Sequence, residues 1–229
     1  MPNARPWIIF LEGLPGSGKS TTASHISNEF KADSPHDLFL ENSPDNPIGK
    51  PWRAEDAREI IKTTTGDTYW FHDWEEIRAR GSSFLFESRL LQNTSLFEML
   101  NGTEDSELGR IPRKIVQNLT RTHRLMLMLL HVSDARSHLQ QTITERDVSH
   151  PEWSKFVFDL FTGQPWSVER GYSGKTAFVE AMSEWNTRQP AIAQSLGIPL
   201  TVIQDPMADR TAATEVAVTT AASFIFDEM

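Results

Sequence analysis

The feature that most constrains this chain is the glycine-rich segment Gly13–Thr21, which reads Gly-Leu-Pro-Gly-Ser-Gly-Lys-Ser-Thr. An apolar run, Trp7–Leu11, precedes it, and an amphipathic pattern follows it over Lys19–Lys31. Where a chain enters such a loop from a strand and continues into a helix, several backbone N–H groups point at one anion. Two glycines four residues apart, followed by lysine and a hydroxyl residue, form the pattern that cradles nucleotide phosphates. The sequence therefore predicts that this loop binds a nucleoside triphosphate.

The side chains of this loop have separate expected roles. Lys19 supplies a point charge for the β- and γ-phosphates, and the Ser20 hydroxyl is expected to coordinate Mg²⁺. The expected ligands are ATP and Mg²⁺. The residues predicted to contact the nucleotide are Gly13, Leu14, Pro15, Gly16, Ser17, Gly18, Lys19, Ser20 and Thr21.

Short apolar runs alternate with helical patterns along the chain, which is typical of an α/β fold with a parallel sheet. The predicted strands are Trp7–Leu11, Asp37–Leu40, Ser83–Phe86, Leu125–Val132 and Leu200–Ile203. The predicted helices are Lys19–Lys31, one after Pro51 through Ile61, one around Leu96–Leu100, Ile111–Arg124, one ending at Arg146, and a closing helix around Ala213–Phe224.

An acidic residue, Glu87, closes the predicted strand Ser83–Phe86. The carboxyl ends of parallel strands form the ligand crevice of such sheets, so Glu87 is expected to hold the metal or to accept a proton from an attacking hydroxyl. Arg89 would bind an anionic or carboxylate-bearing acceptor. The alternative is that the two residues form an ordinary ion pair or cap a turn.

Phosphoryl transfer requires cations around the transferred group, and the loop itself carries only Lys19. Arg146 and Arg170 are candidate catalytic arginines, and Arg136 is a candidate for the nucleotide phosphates; a solvated surface position is the alternative for each. Residues 147–174 combine prolines, glycines and aromatic residues. They are interpreted as a mobile lid or, alternatively, as a subdomain packed by its aromatic side chains.

Residues 33–80 are interpreted as an acceptor-binding insertion within one domain that spans residues 1–229. The loop Glu41–Pro47 in this segment is acidic and bounded by prolines. Glu41 and Asp45 would suit a hydroxyl- or amine-bearing small molecule better than a phosphate. The alternative is that both carboxylates are solvated.

Composition limits the classes of function that remain. The chain of 229 residues carries 22 Lys and Arg against 31 Asp and Glu, for a net charge of −9, which argues against nucleic-acid or anionic-membrane binding over the whole surface. It has no cysteine, which excludes thiolate catalysis and zinc-thiolate sites. A cytoplasmic location is the default expectation, and a homodimer is left open.

The segment Phe10–Thr22 resembles the opening of the thymidylate-kinase-like group of P-loop nucleoside and nucleotide kinases. The resemblance implies a five-stranded parallel sheet in the order 2-3-1-4-5, ATP in the loop, and an acceptor held beside the second and third strands. It also implies that a lid bearing arginines begins near Arg146. That family has adjacent Asp and Arg after its third strand, whereas here Ser88 separates Glu87 from Arg89.

These observations predict an ATP-dependent phosphotransferase acting on a small-molecule acceptor, such as a hydroxyl-bearing metabolite, a nucleoside or an antibiotic-like compound. A nucleoside monophosphate kinase and a nucleotide-hydrolysing switch are the alternatives. The switch is disfavoured because the guanine-binding Asn-Lys-x-Asp pattern is absent. A sulfotransferase is disfavoured because its loop does not need the Lys-Ser pair.

Overall fold

The sheet is the centre of the structure. A computed structural model of the chain describes residues 5–48 and 68–226. Within them, five strands form one parallel sheet in the order β2-β3-β1-β4-β5. The strands are β1 (Trp7–Gly13), β2 (His36–Phe39), β3 (Ser83–Glu87), β4 (Arg124–His131) and β5 (Leu200–Gln204).

Helices connect the strands and cover both faces of the sheet. They are α1 (Lys19–Phe30), α2 (Thr68–Arg80), α3 (Ser95–Leu100), α4 (Arg110–Leu119), α5 (Ala135–Ser149), α6 (Pro151–Thr162), α7 (Pro165–Glu169), α8 (Gly174–Ser195) and α9 (Arg210–Phe226). None of the helices in the described part of the chain is long and apolar enough to cross a membrane.

The side chains of β1 alternate between the two faces of the sheet, and each face has its own hydrophobic core. Ile8 and Phe10 pack into one hydrophobic cluster with residues of α2, α4 and α8. Ile9 and Leu11 pack into the other cluster, which α1 and α9 cover. Successive side chains of a strand point to opposite faces, so a strand that is buried on both faces consists mainly of apolar residues. This explains why the central strands are near-continuous apolar runs.

The predicted fold class is confirmed, including the strand order. All five predicted strands are present, with ends that differ by at most two residues. The prediction of a helix over Ile111–Arg124 was too long, because α4 ends at Leu119. The chain turns there, with the His123 N–H donating to the Leu119 carbonyl at 2.9 Å. This turn brings Arg124 into β4 beside Trp7 of β1.

The segment 147–174 consists mainly of α6 and α7, and its aromatic side chains pack inward. Trp153 and Phe161 make edge-to-face contacts with Phe178 of α8, at centroid distances of 5.7 and 5.1 Å. Trp166 is buried as well. The aromatic residues thus hold this segment against α8, and its motion as a lid stays a prediction.

The segment 33–80 includes β2 and α2. The predicted helix after Pro51 lies outside the described residues, so only the two ends of the proposed acceptor insertion are described. Its role as an acceptor-binding unit stays a prediction.

Candidate functional site

The phosphate loop (residues 13–21) is packed too tightly for side chains at two of its glycines. A Cβ on Gly13 would lie 2.5 Å from the Leu130 carbonyl oxygen, and a Cβ on Gly16 would lie 2.3 Å from Thr142 Oγ1. Both glycines have positive φ angles, of 148° and 79°, which glycine adopts without steric cost. The loop is therefore pressed between β4 and α5, which fixes the path of its backbone.

Lys19 is the first residue of α1, and its side chain folds back over the loop. The ammonium group donates to the carbonyl oxygens of Gly13 at 3.0 Å and Leu14 at 2.9 Å. The side chain is only 5% exposed. A buried cation is thus held beside the loop by two neutral acceptors, both of which a phosphate oxygen could replace.

A chain of hydrogen bonds links Ser20 of the loop to the ends of β2 and β3. The Ser20 hydroxyl donates to Glu87 Oε1 at 2.7 Å, and the Glu41 backbone N–H donates to Glu87 Oε2 at 3.1 Å. The parallel register pairs Leu11 with Glu87, which brings the end of β3 beside the start of the loop. The structure therefore brings Ser20, Glu87 and Glu41 together.

The turn that follows β3 also contacts Glu41. Arg89 is buried and donates to the Glu41 carbonyl oxygen. Gln92 Nε2 donates to Glu41 Oε1 at 2.8 Å. Burial raises the pKa of Glu41, with the nearby Glu87 carboxylate acting in the same direction and Lys19 and Arg89 opposing it. Glu41 thus has a carboxylate whose basicity exceeds that of an exposed glutamate.

Glu12, which directly precedes the loop, is fully buried. Burial raises its pKa to about 7, although backbone N–H groups of Leu91, Leu90 and Gln92 and the charge of Lys19 favour the ionised form. No role for Glu12 was predicted from the sequence. A glutamate within an apolar strand, directly before a phosphate loop, was the available signal.

A cavity of about 610 Å³ lies over the phosphate loop. Besides residues 16–22 of the loop and α1, its lining includes Leu40–Ser43, Glu87 and Arg146. The far wall comes from the segment after β5 and from α9, through Pro206, Met207, Arg210, Ala213 and Thr214. This wall was not predicted from the sequence, although the carboxyl end of β5 opens on the same edge of the sheet as the loop.

Arg146 stands at the edge of this cavity. It lies in the last turn of α5, and its guanidinium carbon is 4.3 Å from the centroid of the Trp153 ring. Burial lowers its pKa, while the charges of Glu41 and Glu87 raise it; the group stays protonated at neutral pH. A cation stacked on an aromatic ring is held in place before any ligand binds.

The other two candidate arginines lie elsewhere. Arg136 pairs with Glu180, with its Nη2 atom 2.6 Å from Glu180 Oε2. Arg170 stacks over Trp166 at 4.5 Å and pairs with Glu169. Both arginines line a separate cavity of about 210 Å³. Asp45 is exposed and does not line the cavity over the loop.

The residues present fit a magnesium ion. Ser20 Oγ and Glu87 Oε1 are two hard oxygen atoms in direct contact, and Mg²⁺ typically binds one or two protein oxygens together with phosphate oxygens and water. The described residues contain no group of three or more acidic or histidine side chains that could hold a metal by themselves. An ion here would therefore depend on the nucleotide for much of its coordination.

No protein-family model and no curated protein matches the sequence. Among solved structures, the chain is similar to the deoxyadenosine kinase from M. mycoides with bound dATP. The match covers 93% of this chain and 98% of that chain, with a TM-score of 0.53 and 16% sequence identity. The two chains share a fold. It is the fold of a P-loop kinase, while a closer relationship to the thymidylate-kinase-like group stays a prediction.

Replacing Gly16 with alanine should weaken nucleotide binding by at least about tenfold, because the new Cβ would press on Thr142 and displace the loop. Gly81→Ala is the matched control, since Gly81 also has a positive φ, of 65°, but nothing within 4 Å of the added Cβ. Titration calorimetry with a non-hydrolysable ATP analogue measures both. Equal affinities in the two variants would show that the loop tolerates the displacement.

Glu12 should make stability depend on pH. Its raised pKa means that the folded chain keeps this proton at pH values where the unfolded chain has released it, so the contribution to stability is complete below pH 4.5 and is lost as the pH rises through about 7. Relative to Glu12→Gln, the free energy of unfolding should fall by about 2 to 3 kcal/mol between about pH 5 and about pH 8. Urea denaturation across this range measures it, and parallel curves would contradict it.

Proposed function

We propose that this chain transfers the γ-phosphate of ATP to a hydroxyl group of a nucleoside. The observation that carries the proposal is the hydrogen-bonded series Ser20–Glu87–Glu41, which joins the phosphate loop to a partly buried carboxylate beside the same cavity. The solved structure that shares this fold is named as a deoxyadenosine kinase and holds dATP. It supports a nucleoside as the acceptor class.

The phosphate loop and two cations would bind the triphosphate. Residues 18–21 at the start of α1 line the cavity, and their backbone N–H groups would bind phosphate oxygens. Lys19 would exchange the carbonyl oxygens of Gly13 and Leu14 for phosphate oxygens. Arg146 would meet the γ-phosphate, because it lines the cavity and carries a charge near Glu41 and Glu87. The pairing of Arg136 and Arg170 with acidic neighbours makes Arg146 the favoured catalytic arginine.

Ser20 and Glu87 would hold Mg²⁺, which would neutralise charge on the β- and γ-phosphates when bound. Glu87 also accepts the Glu41 backbone N–H. Its position is therefore fixed from the acceptor side as well as from the loop side.

Glu41 would receive the acceptor hydroxyl. Its raised pKa suits a group that takes a proton in the transition state, since an ordinary carboxylate is a weak base at neutral pH. The hydroxyl oxygen would attack the γ-phosphorus in line, and the bond from that phosphorus to the bridging oxygen would break. The electron pair would leave with ADP, and the hydroxyl proton would move to Glu41.

The charge around Glu41 favours a neutral acceptor. Arg89 lies beside Glu41, but it already donates to the Glu41 carbonyl oxygen in surroundings that include Glu12 and Glu87. A nucleoside monophosphate would bring its own phosphate dianion close to these carboxylates, in addition to the charge of the triphosphate. A nucleoside brings only hydroxyl groups and a base.

Lys19→Ala should reduce turnover by at least about a thousandfold, since it removes the cation of the phosphate loop. The assay is ADP release with a panel of nucleosides, nucleoside monophosphates, amino acids and aminoglycosides. Stimulation by nucleosides is the expected result.

Lys31→Ala is the control for this change, because Lys31 is exposed at the far end of α1. It should leave turnover unchanged. Slow ADP release that no compound stimulates would contradict the kinase and favour the switch, and stimulation by monophosphates alone would contradict the nucleoside.

Glu41→Gln should lower kcat by at least about a hundredfold and change the affinity for an ATP analogue by less than about threefold, because the amide cannot take the proton. Glu29→Gln is the same chemical change at an exposed position of α1, and it should leave kcat unaltered. Single-turnover measurements separate the chemical step from product release. A kcat that survives in Glu41→Gln would assign proton removal to another group.

A further inference from the structure

Glu12 makes an unusual set of contacts for a side chain in a central strand. Its Oε1 atom accepts the backbone N–H groups of Leu90 at 2.7 Å and Leu91 at 2.9 Å. Its Oε2 atom accepts the N–H of Gln92 at 3.2 Å. One buried carboxylate therefore holds three consecutive residues of the turn after β3.

That turn carries the two side chains that contact Glu41. Gln92 Nε2 donates to the Glu41 carboxylate at 2.8 Å, and Arg89 donates to the Glu41 carbonyl oxygen. Gln92 is thus held at its backbone by Glu12 and holds Glu41 with its side chain. One path from β1 to the Glu41 carboxylate therefore runs through Glu12 and Gln92.

The backbone of this turn requires such support. Ser88 has a φ of 56° and is fully buried, a conformation that is costly for a residue with a side chain. The Ser88 N–H donates to the Leu11 carbonyl oxygen at 3.0 Å, so the strand residue next to Glu12 fixes the start of the turn. Leu11 and Glu12 together determine the course of the chain from Ser88 to Gln92.

We propose that Glu12 is a positioning residue for the acceptor: it places Gln92, and through Gln92 the Glu41 carboxylate, for the acceptor hydroxyl. This inference rests on the proposed kinase function and assigns to Glu12 a role separate from nucleotide binding. Glu12 itself does not line the cavity. It acts only through the turn.

Glu12→Gln tests this role selectively. The amide oxygen can replace Oε1 and still accept from Leu90 and Leu91, whereas the amide NH₂ group then faces the N–H of Gln92 and cannot accept it. The bond that is lost is the one to the residue that holds Glu41. Because this contact is partly buried, leaving the Gln92 N–H unpaired should change an equilibrium by about tenfold.

The expected result is specific to the acceptor. In Glu12→Gln, the Gln92 amide should exchange with solvent at least about tenfold faster by NMR, while the Leu90 and Leu91 amides keep their protection. The KM for the nucleoside that the wild-type chain uses best in the panel should rise about tenfold or more. The affinity for an ATP analogue should change by less than about threefold.

Glu98→Gln is the matched control. Glu98 is also a buried glutamate with a raised pKa, and it accepts backbone N–H groups, from Gly109 at 2.9 Å and Ile111 at 3.2 Å. It does not line the cavity over the loop. This variant should lose stability and leave the nucleoside KM unchanged.

A double-mutant cycle with Gln92→Ala tests the path. If Glu12 acts through Gln92, Glu12→Gln should change the nucleoside KM by less than about threefold in the Gln92→Ala background. Additive effects would overturn the proposal, as would an unchanged Gln92 exchange rate or an equal rise in KM in Glu98→Gln. If no nucleoside is phosphorylated, the proposed function fails. The exchange rates remain a separate test: faster exchange of the Gln92 amide alone supports the contact by which Glu12 holds the turn, and unchanged exchange overturns it.

Discussion

The parallel pairing of β1 with β3 is the constraint on which the rest of the site depends. It sets Leu11 opposite Glu87, so the loop that leaves β1 and the acid that ends β3 reach the same edge of the sheet. The hydrogen bond between Ser20 and Glu87 follows from this register. A shift of one residue in β3 would turn Glu87 to the other face of the sheet, and the connection from the loop to Glu41 would be lost.

Positive and negative side chains lie side by side in the site. Lys19, Arg89 and Arg146 lie among Glu12, Glu41 and Glu87, and burial disfavours the charged form of several of these groups. Buried charges are tolerated where opposite charges and hydrogen bonds compensate for lost hydration. The net charge of −9 is therefore no obstacle to binding a triphosphate, because a few cations and backbone donors are concentrated at one edge of the sheet.

The sequence was sufficient to predict the fold and the phosphate loop, because both depend on local patterns. Apolar runs mark strands, and the spacing of glycine, lysine and serine marks the loop. The strand order came from the family resemblance rather than from periodicity. Glu41 and Glu87 could be singled out because each lies directly after a predicted strand, and such positions converge in a parallel sheet.

The remaining parts of the site depend on contacts between distant segments, which spacing does not determine. Arg136, Arg146 and Arg170 were all candidates for contact with the phosphates, and only packing shows that Arg146 alone of the three lines the cavity over the loop. The cavity wall formed by residues 206–214 could not be predicted without knowing where α9 packs. No sequence pattern singled out Gln92, since its contact with Glu41 joins residues that are 51 positions apart.

The proposed selectivity for the acceptor would follow from the same geometry. Glu41 contacts Glu87, the partner of Ser20, and the turn that carries Arg89 and Gln92, so the proposed acceptor would approach a carboxylate that lines the same cavity as the phosphate loop. Negative charge on the acceptor would add repulsion from both sides in a partly desolvated site, where Coulomb energies are several times those in water. A hydroxyl group gains instead, because it donates a hydrogen bond to the carboxylate that would remove its proton. The arrangement that raises the pKa of Glu41 would therefore also favour an uncharged acceptor.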